Sequence, residues 1–434
     1  MKKEITSASQ PLKGVIKVPG DKSVSHRAVM FGALSDGDTH ITGFLSSADC
    51  FSTISCFEKL GVTFLWDQDN VTVRGKGLYG LRAPENEVSL YTGNSGTTTR
   101  ILSGILAPQP FTSILSGDDS VNRRPMRRVI EPLSEMGADI KSVNDNGCAP
   151  LRIRGSQLHG IDYVSPVASA QVKSAILMAG LYADGPVSVT EPSLSRDHTE
   201  RFLSSCGASV ATNPLEDGSY RISLKPCAHL AAQEVRVPGD ISSAAFFLVA
   251  ALIVPGSEAL LTDVGINPTR AGILKVLRQM GADITVTVKA ERPEPYADIL
   301  VRHSALHGVD IRGSIIPALI DELPVIAVAA AFAEGTTTIA DAGELRVKES
   351  DRIVAMTENL RAMGAAVQET PDGMIIEGEA ALHGAQITTH ADHRIAMSFA
   401  VAALAASGVT VLDDVSCVAI SYPSFFDDLG ALLR

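Results

Sequence analysis

A series of helix-ending glycines at near-constant spacing constrains this chain more than any other feature. Amphipathic segments close on Gly61, Gly137, Gly207, Gly281, Gly364 and Gly430, each directly after a Leu, Met or Cys. Successive positions differ by 76, 70, 74, 83 and 66 residues. A glycine accepts the left-handed backbone that terminates a helix, and several copies continue directly into a strand start such as Ala-Asp-Ile. Six units of roughly 74 residues then fill the chain. A second marker falls between the glycines: Leu78-Tyr79-Gly80, Leu158-His159-Gly160, Leu306-His307-Gly308 and Leu382-His383-Gly384. Weaker copies are Leu12-Lys13-Gly14 and His229-Leu230-Ala231. Each precedes a strand and then an apolar helix, expected near 23–35, 96–106, 169–182, 241–254, 321–333 and 392–405. A unit therefore reads strand, helix, strand, helix, strand, strand, with turns such as Asp145-Asn146-Gly147 and Pro371-Asp372-Gly373 near its end. The fold class is α/β, with six βαβαββ units, three per domain, around helices too apolar to face water.

One segment occurs twice. Val18-Pro19-Gly20-Asp21-Lys22-Ser23 is echoed by Val237-Pro238-Gly239-Asp240-Ile241-Ser242. In both, an extended run meets a Pro-Gly turn and then an Asp able to cap a helix. The sixth unit looks short, and the strand near Leu12–Val18 has no unit of its own. The simplest solution builds one domain from 1–20 with 239–434 and a second from 21–238, with crossovers near 18–21 and 237–240. Lys22 and Arg27 of the first copy become Ile241 and Phe246 in the second, so charge has been added to one copy of a shared scaffold.

A chain of 434 residues has ample length for two cores. Its net charge of −12 and its single Trp argue against a nucleic-acid surface. The six cysteines, at 50, 56, 148, 206, 227 and 417, form no Cys-x-x-Cys pair and read as reduced thiols of a cytoplasmic protein. The start, Met1-Lys2-Lys3-Glu4, lacks a signal-peptide core, and the longest apolar run, Ala244–Val254, is too short to span a bilayer.

Polar clusters recur where helices begin. The first helices carry Lys22-Ser23 with Arg27, then Asn94 to Arg100, Ser169 to Lys173, Asp240 to Ser243, Asp321-Glu322 and Asp392-His393-Arg394. The second helices add Arg123-Arg124-Pro125, Arg196-Asp197-His198 and Arg346 to Arg352. Helix N-termini offer free N–H groups and a positive dipole end, and Arg or Lys there adds charge-assisted bonds to phosphate or carboxylate. Taken singly, each cluster reads equally well as an N-cap or a solvated face; their common register points to anionic ligands. His383, His390 and His393 lack an accompanying set of ligands, so no metal site is expected.

Seven of these segments carry a resemblance: Gly20-Asp21-Lys22-Ser23-x-Ser25-His26-Arg27, Gly93-Asn94-Ser95-Gly96-Thr97, Arg124-Pro125-Met126, Ser169-Ala170-Gln171-x-Lys173-Ser174, Ser195-Arg196-Asp197-His198-Thr199-Glu200, Arg346-x-Lys348-Glu349-Ser350-Asp351-Arg352 and Asp392-His393-Arg394. Together they resemble the 3-phosphoshikimate 1-carboxyvinyltransferases (5-enolpyruvylshikimate-3-phosphate synthases) of the class II bacterial type, from about residue 7 to 428. The resemblance implies the two-domain enolpyruvyl transferase-like fold, with substrates between the domains. It also implies transfer of the enolpyruvyl group of phosphoenolpyruvate to the 5-hydroxyl of shikimate 3-phosphate, in aromatic amino acid biosynthesis. By matched motif, shikimate 3-phosphate falls to Lys22, Ser23, Arg27, Ser169, Gln171, Arg196, Asp321 and Lys348. Phosphoenolpyruvate falls to Lys22, Gly96, Arg124, Gln171, Arg352 and Arg394. Asp321 is the implied base, Glu349 the implied proton donor and Lys22 the cation shared by both substrates; Asn94, Thr97 and His393 are further candidates. No cofactor, metal, nucleic acid or membrane is implied, and the expected form is a monomer held open by repulsion among its own cations until bound shikimate 3-phosphate offsets that charge and lets it close.

Three positions depart from the family pattern: Ala170 replaces a frequent second Ser, Ile420 a class I Lys, and Glu344 a frequent Asn. Two alternatives stay open: a UDP-N-acetylglucosamine carboxyvinyltransferase and a non-catalytic repeat scaffold. The first has Asn after its Lys, where this chain has Ser23, and a loop Cys that is absent near Asp118-Asp119-Ser120. The second leaves the aligned acids and cations without a purpose.

Overall fold

The computed structural model describes residues 1–379 and 381–433. The chain forms two compact units, one of Met1–Pro19 with Pro238–Arg434 and one of Gly20–Val237. Each has its own hydrophobic core.

The middle of the Gly20–Val237 unit shows the repeat most plainly. Strand Glu87–Tyr91 alternates exposed and buried residues, placing Val88 and Leu90 inside. It is followed by helix Gly96–Leu106, and strand Thr112–Ser116 returns parallel to it. A parallel pair requires such a crossover, and the helix supplies it. Helix Arg127–Glu135 and the antiparallel strands Asp139–Ser142 and Leu151–Arg154 complete a sheet whose spatial order is first, second, fourth, third. The same order recurs in the sheet of Asp162–Val164, Val187–Glu191, Tyr220–Leu224 and Val210–Pro214.

At the echoed segments the unit is split between strand and helix. Strand Lys13–Ile16 pairs parallel with Glu258–Gly265, whereas helix Lys22–Leu34, which follows it in sequence, belongs to the other unit. Reciprocally, Glu234–Arg236 pairs with Asp38–Thr42 in the Gly20–Val237 unit, whereas helix Ile241–Ile253, which follows it in sequence, belongs to the unit of Met1–Pro19 with Pro238–Arg434. The Pro-Gly turn ends each strand, because proline has no N–H for a ladder. Gly20 must be glycine here: a Cβ would stand 2.1 Å from the Gly43 carbonyl oxygen.

The apolar helices are interior ones. All thirteen residues of Ile241–Ile253 and all nine of Leu323–Ala331 are buried, as their unbroken hydrophobicity requires. With His393–Ala405 they form the centre of their unit. In the other unit, helices Gly96–Leu106 and Ala170–Gly180 approach so closely that a Cβ on Gly104 would sit 2.0 Å from the Ala175 carbonyl oxygen. Helix Leu323–Ala331 begins two residues later than expected, leaving Asp321 and Glu322 before its first turn.

Five of the six repeat glycines, at 61, 137, 207, 281 and 364, take φ between 85° and 94°, the left-handed stop that their spacing predicts. Gly430 corrects the expectation. It lies inside helix Phe425–Leu432, which continues because Leu432 is buried and packs beneath Gly14. The sixth sheet is short, with Gln386–Ile387 and Val409–Leu412 parallel, and Lys3–Thr6 supplies its antiparallel strand. The Met1 ammonium is ion-paired with Asp414 nearby. Among the described residues, no helix is long and apolar enough to cross a membrane.

Candidate active site

Each unit gathers one set of the sequence-predicted residues. In the Gly20–Val237 unit, Asp21 caps helix Lys22–Leu34 by accepting from the Val24 N–H at 2.9 Å, leaving Lys22 and Ser23 at the start of the helix. Lys22 is half-buried and ion-paired with Asp49, a partner that no sequence motif announced. Burial pushes the Asp49 carboxyl upward, but Lys22, with help from His26 and Arg124, outweighs that and keeps it below the usual range. Arg27 lies one turn further on and is buried. Its Nε donates to Thr199 Oγ1 (2.7 Å), Nη2 to Ser174 Oγ (2.9 Å) and Nη1 to the Ser23 carbonyl (3.1 Å).

The second and third clusters are tied directly together. Gln171 Oε1 accepts from Arg100 Nη1 at 2.6 Å, and its Nε2 donates to Thr97 Oγ1 at 3.1 Å. Arg124 Nη2 donates to Asn94 Oδ1 and Ser120 Oγ, both at 3.0 Å. A Cβ on Gly96 would lie 2.9 Å from Arg100 Nη1 and 3.1 Å from Arg124 Nη1, so the bare glycine leaves room for two guanidinium ends. Arg100 belonged to the sequence motif but had no expected role; its position against Gly96 and Gln171 gives it one. Ser169 stands at the start of helix Ala170–Gly180 without a side-chain cap bond, and Arg196 precedes helix His198–Ser205. Behind them, Lys173 is fully buried between Glu191 (2.9 Å) and Glu200 (2.7 Å). Burial pulls the Lys173 pKa down, but the two carboxylates outweigh that and hold the ammonium charged.

In the other unit the set converges on Arg352, itself buried. Its Nε donates to Asp392 Oδ2 at 2.8 Å, its Nη2 to Glu349 Oε2 at 2.6 Å, and its Nη1 lies 3.4 Å from Asp321 Oδ1. Lys348 Nζ is 3.8 Å and Arg394 Nη2 3.9 Å from the Asp321 carboxylate, and Arg394 Nη1 also donates to the Asp321 carbonyl at 2.9 Å. Asp392 caps helix His393–Ala405 by accepting from the Arg394 N–H, which fixes Arg394 at the helix start. Burial tends to raise the Glu349 carboxyl; Arg352, then His393 and Lys348, override it and hold Glu349 well below the usual range. His393 is buried and pushed down to about 4, first by burial and then by Arg394. Arg346, which sits in the same motif, instead bonds Asp351, Glu369 and the Pro371 carbonyl, and so braces the local chain.

Within each unit, several of these cations already have carboxylate partners. Arg352 and Arg394 already face Asp321, Glu322, Glu349 and Asp392, and Lys22 already faces Asp49. Among the described residues, no group of three or more His, Cys, Asp or Glu side chains is placed to hold a metal ion.

Residues 6–429 match a family model described as EPSP synthase (3-phosphoshikimate 1-carboxyvinyltransferase). A relative from Bacillus cereus (strain B4264), named 3-phosphoshikimate 1-carboxyvinyltransferase, is 51% identical over 99% of both chains. One of the same name from Geobacillus thermodenitrificans (strain NG80-2) is 54% identical over 97% of both. A solved EPSP synthase from Acinetobacter baumannii aligns with a TM-score of 0.89 at 45% identity, covering 99% of this chain and 98% of that one.

Proposed function

We propose, for a chain that belongs to the EPSP synthase family, an assignment of its residues to that family's reaction. The chain is a transferase of the shikimate pathway: it moves the enolpyruvyl group of phosphoenolpyruvate to the 5-hydroxyl of shikimate 3-phosphate and releases phosphate. In our reading Ser23, Arg27, Ser169, Gln171, Arg196, Asp321 and Lys348 take shikimate 3-phosphate. Gly96, Arg124, Gln171, Arg352 and Arg394 take phosphoenolpyruvate, and Lys22 serves both. The protein works as a monomer in the cytoplasm, with these two small molecules as its partners.

The observation that carries the reading is the sharing of one buried guanidinium, that of Arg352, by Asp321 and Glu349. It sets two carboxylates side by side for opposite proton transfers. Asp321 accepts the proton of the 5-hydroxyl as its oxygen bonds to the central carbon of phosphoenolpyruvate. Glu349, about a third exposed at 35%, delivers a proton to the methylene carbon. A donor must first hold a proton, and Arg352 and Lys348 oppose that. An anion bound at those cations offsets their field and lifts the Glu349 carboxyl, so substrate binding itself arms the acid. Elimination reverses the second transfer: Glu349 takes a proton back from the new methyl group and phosphate leaves, carrying the proton once held by Asp321. Holding both reactants in place supplies about 7–11 kcal/mol of the barrier, and a positioned acid about 10²–10⁴-fold in rate.

The test is inorganic phosphate release from phosphoenolpyruvate with shikimate 3-phosphate and, separately, UDP-N-acetylglucosamine as acceptor. Only the first should support turnover. Glu349→Gln should lower kcat by about 10²–10⁴-fold while leaving both dissociation constants within a few-fold. Turnover with the sugar nucleotide alone, or an undiminished kcat in Glu349→Gln, would refute the assignment.

A further inference from the structure

Two segments assigned above to shikimate 3-phosphate, the Ser169 helix start and the Ser195-Arg196 turn, are pinned to one buried carboxylate. Glu191 ends strand Val187–Glu191 and has no exposure. Its Oε1 accepts from the Ser169 N–H at 3.1 Å and from Ser195 Oγ at 2.7 Å. Its Oε2 accepts from Ser195 Oγ at 2.9 Å and from the Ser195 N–H at 3.3 Å. Lys173, also without exposure, neutralises Glu191 from the first turn of helix Ala170–Gly180 and donates to the Ser195 carbonyl at 3.3 Å. The two segments are 26 residues apart in sequence. A single side chain thus sets the spacing between a hydroxyl and a guanidinium that must act on the same molecule.

We infer that Glu191, held by Lys173, is a positioning residue for shikimate 3-phosphate: it fixes Ser169 and, through Ser195, Arg196 in their binding geometry without touching the substrate. This rests on the assignment of Ser169 and Arg196 above. Preorganised polar groups bind anions better than mobile ones because their ordering cost is met in folding. With both its hydroxyl and its N–H donating to one carboxylate, the residue before Arg196 has little freedom. Glu200 sharpens the contrast. It also pairs with Lys173, at 2.7 Å, yet it bonds neither serine. Loss of Glu200 therefore removes a buried ion pair while sparing the pins.

The experiment measures shikimate 3-phosphate and phosphoenolpyruvate binding and steady-state turnover on the whole enzyme for Glu191→Gln, Glu200→Gln, Ser195→Ala and Ser169→Ala. Glu191→Gln should raise the KM and Kd for shikimate 3-phosphate about tenfold or more, with kcat and the phosphoenolpyruvate KM within about threefold. Glu200→Gln should lower the unfolding midpoint but leave shikimate 3-phosphate affinity within about threefold. Ser195→Ala, which keeps the ion pairs and the fold, should weaken shikimate 3-phosphate several-fold. That penalty should vanish in an Arg196→Ala background, because coupled residues are not additive. Equal weakening of both substrates in Glu191→Gln and Glu200→Gln, in step with lost stability, would reduce Glu191 to scaffolding. So would a Ser195→Ala penalty that persists without Arg196. The outcomes separate the two layers of argument. Ser169→Ala without effect on binding sinks the substrate assignment itself. Ser169→Ala that weakens binding, beside a silent Ser195→Ala, sinks only the positioning role.

Discussion

His26 lies wholly out of water, its Nδ1 2.7 Å from the Thr53 hydroxyl, which lies 2.7 Å from that of Thr98. Burial, then the charge of Lys22, pushes its imidazole down to about 3. His393 in the other unit falls to about 4 for similar reasons. Unfolding releases both to the ordinary value near 6.5, so as pH falls the unfolded chain takes up protons first. Stability is therefore fully present above about pH 6.5 and is lost below it, by about 1.4 kcal/mol per pH unit for each histidine. Urea midpoints from pH 8 to 4.5 should decline in this way, and His26→Gln should remove one proton's worth of the slope. An identical slope in the variant would show that His26 takes its proton in the folded state. At this scale the sequence was only half legible. Lys22, Arg27, Gly96 and Arg352 stood out because motif and register coincide. Asp49 did not, because Ser47-Ala48-Asp49 reads as an ordinary helix cap and nothing in sequence ties it to Lys22. Partners chosen across helices leave no periodic trace.

Elements follow the sequence more faithfully, and the exceptions have a cause. Strand alternation and glycine stops were visible because they are local rules, set by backbone conformation and by which face is buried. Gly430 broke the pattern since burial of Leu432, a tertiary gain, outweighs the local preference to stop. The close approach of helices Gly96–Leu106 and Ala170–Gly180 was likewise invisible, although Gly104 permits it. Those helices bear Thr97 and Gln171, joined at 3.1 Å, so their separation controls part of the candidate site. Gly104→Ala sets a methyl against backbone that cannot swing aside. We expect a loss of about 3 kcal/mol or more, at the upper end of overpacking costs, together with a raised KM for phosphoenolpyruvate. Chemical denaturation and steady-state kinetics check it; a variant as stable as the parent would mean that the helices part without penalty.

Across the whole molecule, the echoed Val-Pro-Gly-Asp segments mark where the chain changes unit, and both changes fall between a strand and its helix. One unit is a continuous stretch of chain and the other is not. The discontinuous unit draws strand Lys3–Thr6 from one end of the sequence to complete a sheet formed near the other. Without it, Val409–Leu412 would present an unpaired edge, a template for association with other chains. Deleting residues 1–6 should lower the melting temperature and raise light scattering on heating, while Gly20–Val237, which does not include that strand, keeps its protection from hydrogen exchange. A deletion variant that melts and scatters like the parent would show that the edge is shielded in some other way. The arrangement also has a cost in time. A ribosome adds about 5–20 residues per second, so Lys3–Thr6 waits roughly 20–80 s for Val409–Leu412 to be made. Meanwhile the continuous unit has emerged entire and is free to fold. Lys3–Thr6 is thus made long before Val409–Leu412 yet is among the last strands to find its place, and newborn chains of this protein pass through a stage in which one half is finished and the other holds an unclaimed strand.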